Sequence, residues 1–335
     1  MREIWPQLKP WLEGQHPFAL ATVVGAARPS PRGVGSVMAV NHLGNEFIGS
    51  VSAGCVEIEV IEAARASMAN GTTHHAEYGG EHGFPWEVSM TCGGKVKIRV
   101  DPVDQDPDFR QSLVKVLSSE RAAMHVTGPN FELLLNDGGE VLFEKGEVRV
   151  NLINEAMDWL KKGLPTAESE HSGGAILFRH IEKPARFFII GAVHISIHLV
   201  GLAKSCGFET IVIDPREVYV QVERFPTPPD RFIHGWPGQV FAEMEINSKD
   251  CVAVITHDPK IDDDALLALL KTPCGYLGAL GSRKNHDARV RRLSKKIPDA
   301  DLSRLHGPIG LDIGSETPAE IAVSIMAEVI QKRGR

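Results

Sequence analysis

The chain has 335 residues, of which 43% are hydrophobic and 24% charged, and its formal net charge is −7 at pH 7. This length suggests about two domains with ordinary hydrophobic cores, since a domain averages roughly 150 residues. The acidic balance argues against binding of nucleic acid or anionic lipid, and no apolar run approaches the roughly 18 residues of a membrane span.

Two features indicate a reducing, cytoplasmic compartment. The opening residues 1–6 lack the uninterrupted apolar stretch of a signal peptide. The five cysteines are odd in number and scattered, which is not the pattern of a disulfide framework. We therefore expect a cytoplasmic protein.

The first half of the chain predicts a mixed α/β domain over residues 1–183. Its elements in chain order are a helix over 5–12, strands over 18–24, 36–40 and 46–51, a helix over about 55–68, and a strand over 95–100. From about residue 101 the pattern is mixed and is interpreted as a connecting segment, with a helix near 109–117, hairpin-like strands around 136–139 and a helix near 152–162. Within that segment the polar stretch 166–174 is the nearest to a linker.

From about residue 184 the character changes to strand–helix alternation. The predicted strands cover 186–190, 210–214, 250–256 and 276–280, and the predicted helices cover 195–206, 265–270 and 318–332. Continuous apolar strands alternating with helices are typical of a parallel sheet covered on both faces. We therefore predict a Rossmann-like, doubly wound parallel-sheet domain over residues 184–335.

The first candidate site is a small-residue turn between a strand and a helix, residues 49–57. Gly54 follows Ser52 and Ala53, and Cys55 is predicted to open the helix. A helix N-terminus offers unpaired N–H groups and a partial positive charge, so it binds anions and favours a thiolate. Gly54 permits close approach of a ligand to the backbone.

A second thiol lies in similar company. Cys92 is followed by Gly93 and Gly94 just before a strand. Two thiols in two small-residue loops suggest a pocket for a soft metal or for sulfur, with Cys55 and Cys92 as its ligands. A zinc site is disfavoured because neither cysteine has a partner at the usual short spacing. A third loop holds Arg32 between prolines and glycine, and its planar guanidinium suits phosphate or carboxylate.

The second candidate site is the first strand–helix turn of the C-terminal half. Gly191 follows a strand and Asp214 ends the next strand, as in the dinucleotide-binding fingerprint. However, Val193 and Ser196 stand where that fingerprint requires its second and third glycines, so the dinucleotide signal is poor.

Other polar residues fall near the same strand ends. His194 and His198 have the spacing of a helical metal pair, but no third ligand is nearby in the sequence. Thr256-His257-Asp258 and Gly281-Ser282-Arg283 follow two later strands, where ligands bind in open α/β sheets. Cys206, Cys251 and Cys274 are interpreted as structural.

Several stretches together resemble the XdhC/CoxI family of xanthine dehydrogenase accessory proteins. Residues 49–57 are similar to the family signature G-S-[IV]-G-G-G-C-V-E. The other matching stretches are Ser30-Pro31-Arg32, Cys92-Gly93-Gly94, and residues 188–194, 276–283 and 308–318. This chain departs from the family where Ser52 and Ala53 replace glycines, and where Val193 replaces the glycine of G-A-G-H.

The resemblance implies a role in maturing molybdenum hydroxylases. Family members are expected to bind molybdenum cofactor, to assist its sulfuration with a cysteine desulfurase, and to pass it to an apo-enzyme of the xanthine dehydrogenase type. Together with the loops described above, the predicted cofactor contacts are Arg32, Ser52, Gly54, Cys55, Cys92, Gly93, Gly191, His194 and Asp214. Cys55 and Cys92 would contact molybdenum or pass sulfur. We expect a homodimer, the commonest assembly.

Three functional hypotheses remain open from the sequence. The leading one is a cofactor-binding chaperone, since the sites hold thiols and anion-binding loops without an acid/base pair or nucleophile triad. The alternative is an NAD(P)-dependent oxidoreductase that uses the Rossmann-like domain and Asp214. The third is a structural module whose C-terminal domain mediates dimerisation or docking.

Overall fold

The computed structural model describes residues 1–27, 30–79, 94–171 and 173–333. These residues form two compact units, Met1–Lys183 and Pro184–Arg335. Among the described helices, none is both long and apolar enough to cross a membrane.

The first unit contains two antiparallel sheets. The first sheet has the strand order β3-β2-β1-β5-β4 and the second has the order β8-β7-β6-β10-β9. The strands are β1 (Phe18–Ala27), β2 (Val37–Asn41), β3 (Phe47–Gly49), β4 (His74–Tyr78), β5 (Lys95–Pro102), β6 (Ala123–Gly128), β7 (Phe131–Asn136), β8 (Val141–Gly146), β9 (Ala167–His171) and β10 (Gly174–Ile181). The helices are α1 (Trp5–Glu13), α2 (Glu57–Asn70), α3 (Pro107–Leu117) and α4 (Val150–Lys162).

Apolar periodicity places these helices on the sheets. Helix α2 covers one face of the first sheet through Val60, Ala63 and Ala64, and it ends at Gly71, whose φ of 65° closes the helix in the left-handed conformation. Helices α1 and α3 lie on the other face, in a core that also takes residues from β6, β7 and β10. Helix α4 packs on the second sheet.

Two expectations for this unit need correction. The stretch beyond about residue 101 is more than a connecting segment. It contains the two predicted helices as α3 and α4 and the predicted hairpin as β7 and β8, and β6, β9 and β10 complete a second sheet with that hairpin. The polar stretch 166–174 is not a linker, since Ala167–His171 is the edge strand β9 and pairs with β10. An edge strand buries little side-chain surface, so its polar sequence resembles a loop.

The second unit is a parallel sheet with the order β13-β12-β11-β14-β15-β16. Its strands are β11 (Ala185–Ile190), β12 (Phe208–Asp214), β13 (Arg231–His234), β14 (Cys251–Val254), β15 (Tyr276–Ala279) and β16 (Leu305–His306). Its helices are α5 (His194–Ser205), α6 (Pro237–Ala242), α7 (Pro259–Leu269), α8 (Arg283–Lys296) and α9 (Pro318–Lys332).

Helices cover both faces of this sheet, which confirms the predicted doubly wound architecture. One core contains residues of α5 and α9, and the other contains residues of α6, α7 and α8. The chain order reverses between β11 and β14, which is where ligands bind in open α/β sheets.

Candidate functional site

The loop between β3 and α2 has an unusual backbone. Ala53 and Gly54 both have positive φ, 61° and 109°. The helix begins at Glu57, so Cys55 lies in the turn before the helix and does not open it. Residues 53–56 therefore form a turn before the helix, and the loop does not have the backbone of a regular helix N-terminus.

The carboxylate of Glu57 fills the inside of this loop. It accepts six hydrogen bonds from the loop itself, three on each oxygen. Oε1 accepts from Ser50 Oγ at 2.6 Å and from the backbone N–H groups of Val51 and Ser52 at 3.3 and 3.0 Å. Oε2 accepts from Ser52 Oγ at 2.5 Å and from the N–H groups of Gly54 and Val56 at 2.8 and 3.2 Å.

This arrangement makes Glu57 a strongly acidic carboxyl group. Burial by itself raises the pKa of Glu57, but the hydrogen bonds from Ser50, Ser52 and Gly54 outweigh burial and lower the pKa to about 2. The group is therefore ionised in all ordinary conditions.

The Glu57 contacts change the predicted anion site. The sequence predicts that the backbone N–H groups of this loop face a ligand. In the structure they donate instead to the Glu57 carboxylate and to Ser52 Oγ. The donating N–H groups are those of Val51, Ser52, Gly54, Cys55 and Val56. Ser52 is fully buried and positions the loop from inside. The anion held at this end of α2 is the chain's own carboxylate.

The outer face of the loop is accessible. Ala53 and Gly54 are exposed, and Cys55 is half-buried. A side chain at Gly54 would meet no atom within 4 Å, so the backbone there borders open space. The loop thus presents a thiol beside an open stretch of backbone.

Arg32 joins this loop. Its Nε donates to the carbonyl oxygen of Ser50 at 3.1 Å, and its Nη2 pairs with the carboxylate of Glu3. The structure therefore brings Arg32 and Cys55 to one loop, although they are far apart in the sequence. Cys92 and Gly93, the other predicted contacts of this half, lie outside the described residues.

The turn after β11 is tightly built. Gly191 has a φ of 113°, and a side chain there would lie 2.8 Å from Thr256 Cγ2. The carboxylate of Asp214 accepts the N–H of Ala192 at 2.8 Å and two hydrogen bonds from the Arg216 guanidinium at 2.9 and 2.8 Å. Burial raises the pKa of Asp214, but these bonds outweigh burial and lower the pKa.

These contacts differ from those of a dinucleotide site. The acidic residue at the end of the second strand normally accepts the ribose hydroxyl. Here both oxygens of Asp214 already accept hydrogen bonds from Ala192 and Arg216. Val193 stands at the N-cap of α5, where the fingerprint has its second glycine.

The two histidines of α5 lie together. The rings of His194 and His198 are 5.7 Å apart between centroids. Across the described ranges, no group of three His, Cys, Asp or Glu side chains is arranged to hold a metal ion.

The remaining described cysteines divide by burial. Cys251 and Cys274 are buried, and burial raises the pKa of both thiols, that of Cys251 to about 12. Such thiols are protonated and unreactive at neutral pH. Cys206 is half-buried at the end of α5.

Glu57 is the residue that sequence reasoning missed. The signal for it was an acidic residue in the first turn of a helix, directly after a loop of small and hydroxyl residues. Acidic side chains at this position commonly satisfy the unpaired N–H groups of the helix start.

Two family models match the chain. The model of the XdhC Rossmann domain matches residues 187–329, and the model of the XdhC and CoxI family matches residues 11–79. The second match contains Arg32 and the Glu57 loop.

Individual relatives extend over nearly the whole chain. A Bacillus subtilis protein described as a probable subunit of xanthine dehydrogenase is 29% identical over 330 residues, 97% of this chain and 96% of that protein. The Escherichia coli molybdenum cofactor insertion chaperone PaoD is 23% identical over 312 residues, 92% of this chain and 80% of that protein. The crystal structure of a xanthine dehydrogenase from Bacillus halodurans matches with a TM-score of 0.76 and 25% identity, and covers 99% of this chain and 95% of that one.

Proposed function

The chain belongs to the XdhC and CoxI family, and from this premise we propose that it is a chaperone that binds molybdenum cofactor. In this role it assists sulfuration of the cofactor and its insertion into a molybdenum hydroxylase of the xanthine dehydrogenase type. The names of two relatives support the proposal, since one is described as a probable part of xanthine dehydrogenase and the other as a molybdenum cofactor insertion chaperone.

The observation that carries the proposal is the loop that Glu57 organises. It exposes Gly54 and half-exposes Cys55, with Arg32 bonded to the same loop. Molybdenum cofactor is a pterin dithiolene with a phosphate, so its recognition calls for a soft sulfur contact and a positive charge. Cys55 supplies the sulfur contact and Arg32 the positive charge. The loop N–H groups do not contribute, because they already donate to Glu57 and Ser52.

The first experiment measures cofactor on the purified protein. The chain is expressed in a host that makes molybdenum cofactor, and molybdenum is measured by mass spectrometry and pterin by the fluorescence of its oxidised form. We expect near-stoichiometric pterin and molybdenum. If the purified protein contains neither pterin nor molybdenum, although the molybdoenzymes of the host are fully loaded, the proposal is contradicted.

Variants then assign the thiols. Cys55→Ser and Cys92→Ser should each lower the retained molybdenum. Cys206→Ser is the matched control, because Cys206 is also half-buried but lies in the other unit. Equal retention in all three variants would exclude the thiols as cofactor contacts.

The proposed partners are an apo-hydroxylase of the xanthine dehydrogenase type, a cysteine desulfurase and a second copy of the chain. Mixing cofactor-loaded protein with apo-hydroxylase should restore hydroxylase activity, and added desulfurase with cysteine should increase it. Light scattering of the purified protein should report a dimer. Transfer that is no faster than with free cofactor would argue against an insertion role.

A further inference from the structure

A cleft of about 760 Å³ lies in the first unit, between its two sheets. Its walls come from β4 and β5 of one sheet and from β6, β7, β8 and β10 of the other, and residues 49–57 take no part in it. The volume falls in the range of small-molecule sites, roughly 300–1,000 Å³. The cleft is therefore separate from the Glu57 loop and large enough for a ligand.

Buried ion pairs join the two sheets at this cleft. Arg99 on β5 is only 2% exposed, and its guanidinium bonds Asp101 at 2.8 Å and Glu168 on β9 at 2.7 Å. On the opposite sheet, Arg179 donates to Thr22 of β1 at 3.0 Å and pairs with Asp101 at 3.4 Å. These charges fix the two walls relative to each other, and each cation has an acidic partner.

Glu132 is a lining carboxylate with spare hydrogen-bonding capacity. Arg179 donates to His125 Nδ1 at 2.7 Å, so the His125 proton lies on Nε2, which donates to Glu132 Oε1 at 2.7 Å. Burial lowers the pKa of His125, despite its bond to Glu132, so the ring is neutral. Glu132 also hydrogen-bonds the side chain of Asp104. Burial raises the pKa of Asp104, but its hydrogen bonds with Lys145, with the N–H of Asp106 and with Glu132 outweigh burial and lower the pKa. A carboxylate has about four lone-pair sites, so Glu132 can accept further hydrogen bonds from a ligand beside those with His125 and Asp104.

The other walls add an aromatic ring and a cation. Phe131 lines the cleft, and its ring lies against the backbone of Gly128, where any side chain would collide with it. Lys145 stands at the rim, where its side chain is 55% exposed, and donates to Asp104 at 2.6 Å. An ammonium group has three donors, so Lys145 can bind Asp104 and a ligand anion together.

From this lining we propose that the cleft binds a planar heterocycle whose edge carries adjacent N–H donors. Glu132 accepts from that edge, Phe131 flanks the ring, and Lys145 binds a phosphate attached to it. The 2-amino-4-oxo pyrimidine edge of pterins and of guanine has this chemistry. The choice of a pterin rests on the function proposed above, whereas guanine does not depend on it.

The test uses the purified full-length protein and four probes. Binding of 6-hydroxymethylpterin is followed by its fluorescence, and binding of GMP, guanosine and AMP by calorimetry. We expect the pterin or GMP to bind and AMP to fail, because adenine presents a lone pair to the carboxylate where the others present N–H. Tighter binding of 6-hydroxymethylpterin than of guanosine identifies a pterin site, and the reverse order identifies a guanine site, because neither of these two probes carries a phosphate for Lys145.

Variants assign the contacts. Glu132→Gln should weaken binding about tenfold or more, since a charge-assisted hydrogen bond is lost. Glu144→Gln, exposed on the adjacent strand β8, should leave binding unchanged. Lys145→Gln alters an exposed side chain and should weaken binding of GMP but not of guanosine, which keeps the test decisive if Glu132→Gln does not fold.

Three results would overturn the proposal: no binding of the pterin or GMP at millimolar concentration, equal binding of AMP, or equal binding by wild type and Glu132→Gln. The chaperone proposal fails separately. If wild type and Glu132→Gln retain the same amount of cofactor, the cleft is not the pterin site, and the chaperone role is unaffected. A protein without cofactor whose GMP binding depends on Glu132 supports the cleft alone.

Discussion

The carboxylate of Glu57 accepts the backbone N–H of Gly54 at 2.8 Å, and so binds the residue whose exposed backbone faces solvent. A helix residue thereby holds the loop that precedes it from the inside. The loop has a fixed shape before any ligand arrives, which reduces the entropy lost on binding.

Replacing Glu57 should loosen this loop. Glu57→Gln puts an amide NH₂ where one carboxylate oxygen accepts hydrogen bonds from Gly54 and Val56, so those contacts become repulsive. We expect the free energy of unfolding to fall by about 2–4 kcal/mol, and cofactor retention to fall with it. Denaturant unfolding measures the first effect. Glu62→Gln on the exposed side of α2 is the control and should change stability by less than about 0.5 kcal/mol.

The same carboxylate predicts an acid dependence of stability. The pKa of Glu57 is about 2 in the folded chain against an ordinary 4.5, so its contribution is complete above about pH 4.5 and is lost as the pH falls towards 2. Over that window the contribution lost is up to about 3 kcal/mol. The stability difference between wild type and Glu57→Gln should therefore shrink as the pH falls. A difference that stays constant from neutral pH to pH 2 would contradict this assignment.

Arg99 should be much more important for stability than its neighbour Lys97. Arg99→Ala leaves the carboxylates of Asp101 and Glu168 without their shared cation, which should cost about 3–5 kcal/mol. Lys97 lies on the same strand as Arg99, and Lys97→Ala removes only an exposed pair with Glu77 of β4 at 3.5 Å, which should cost less than about 1 kcal/mol. Thermal and denaturant unfolding of both variants provide the comparison, and similar losses would show that the buried pairs contribute little.

Two glycines of the second unit should respond in opposite directions. Gly191→Ala forces a side chain into a φ of 113° and to within 2.8 Å of Thr256, so we expect a loss of more than about 2 kcal/mol. Gly201 lies inside α5, where an added methyl group would meet Thr227 at an ordinary 3.7 Å. Gly201→Ala should therefore stabilise the unit by up to about 1 kcal/mol. Calorimetric unfolding checks the two signs.

Much of the fold could be predicted from local pattern. The strand at Phe18–Ala27 is a continuous apolar run, and α9 (Pro318–Lys332) has its apolar stripe and a capping box between Thr317 and Glu320. The Rossmann-like half was predicted because its strands are continuous apolar runs, buried on both faces, that alternate with helices. In the first half, β4, β6, β9 and β10 were missed. Of these, β4 and β9 are edge strands with mostly polar sequences.

The candidate site was predicted less completely. Gly54 and Cys55 were identified from their small neighbours and lie on the accessible face of the loop. The direction of the N–H groups was predicted wrongly, because sequence position does not show that the Glu57 side chain turns back into the loop. Arg32 was singled out alone, and only the fold places it against Ser50.

By itself, the sequence determined the family, the two kinds of architecture and most helices and strands, because these depend on residue types a few positions apart. The tertiary structure decided the second sheet of the first unit and the charged cleft. Arg179 meets Thr22 across 157 positions, and Arg99 meets Glu168 across 69. Apolar periodicity reports which face of an element is buried, whereas the partner of a buried charge is fixed only when strands far apart in the chain pack together.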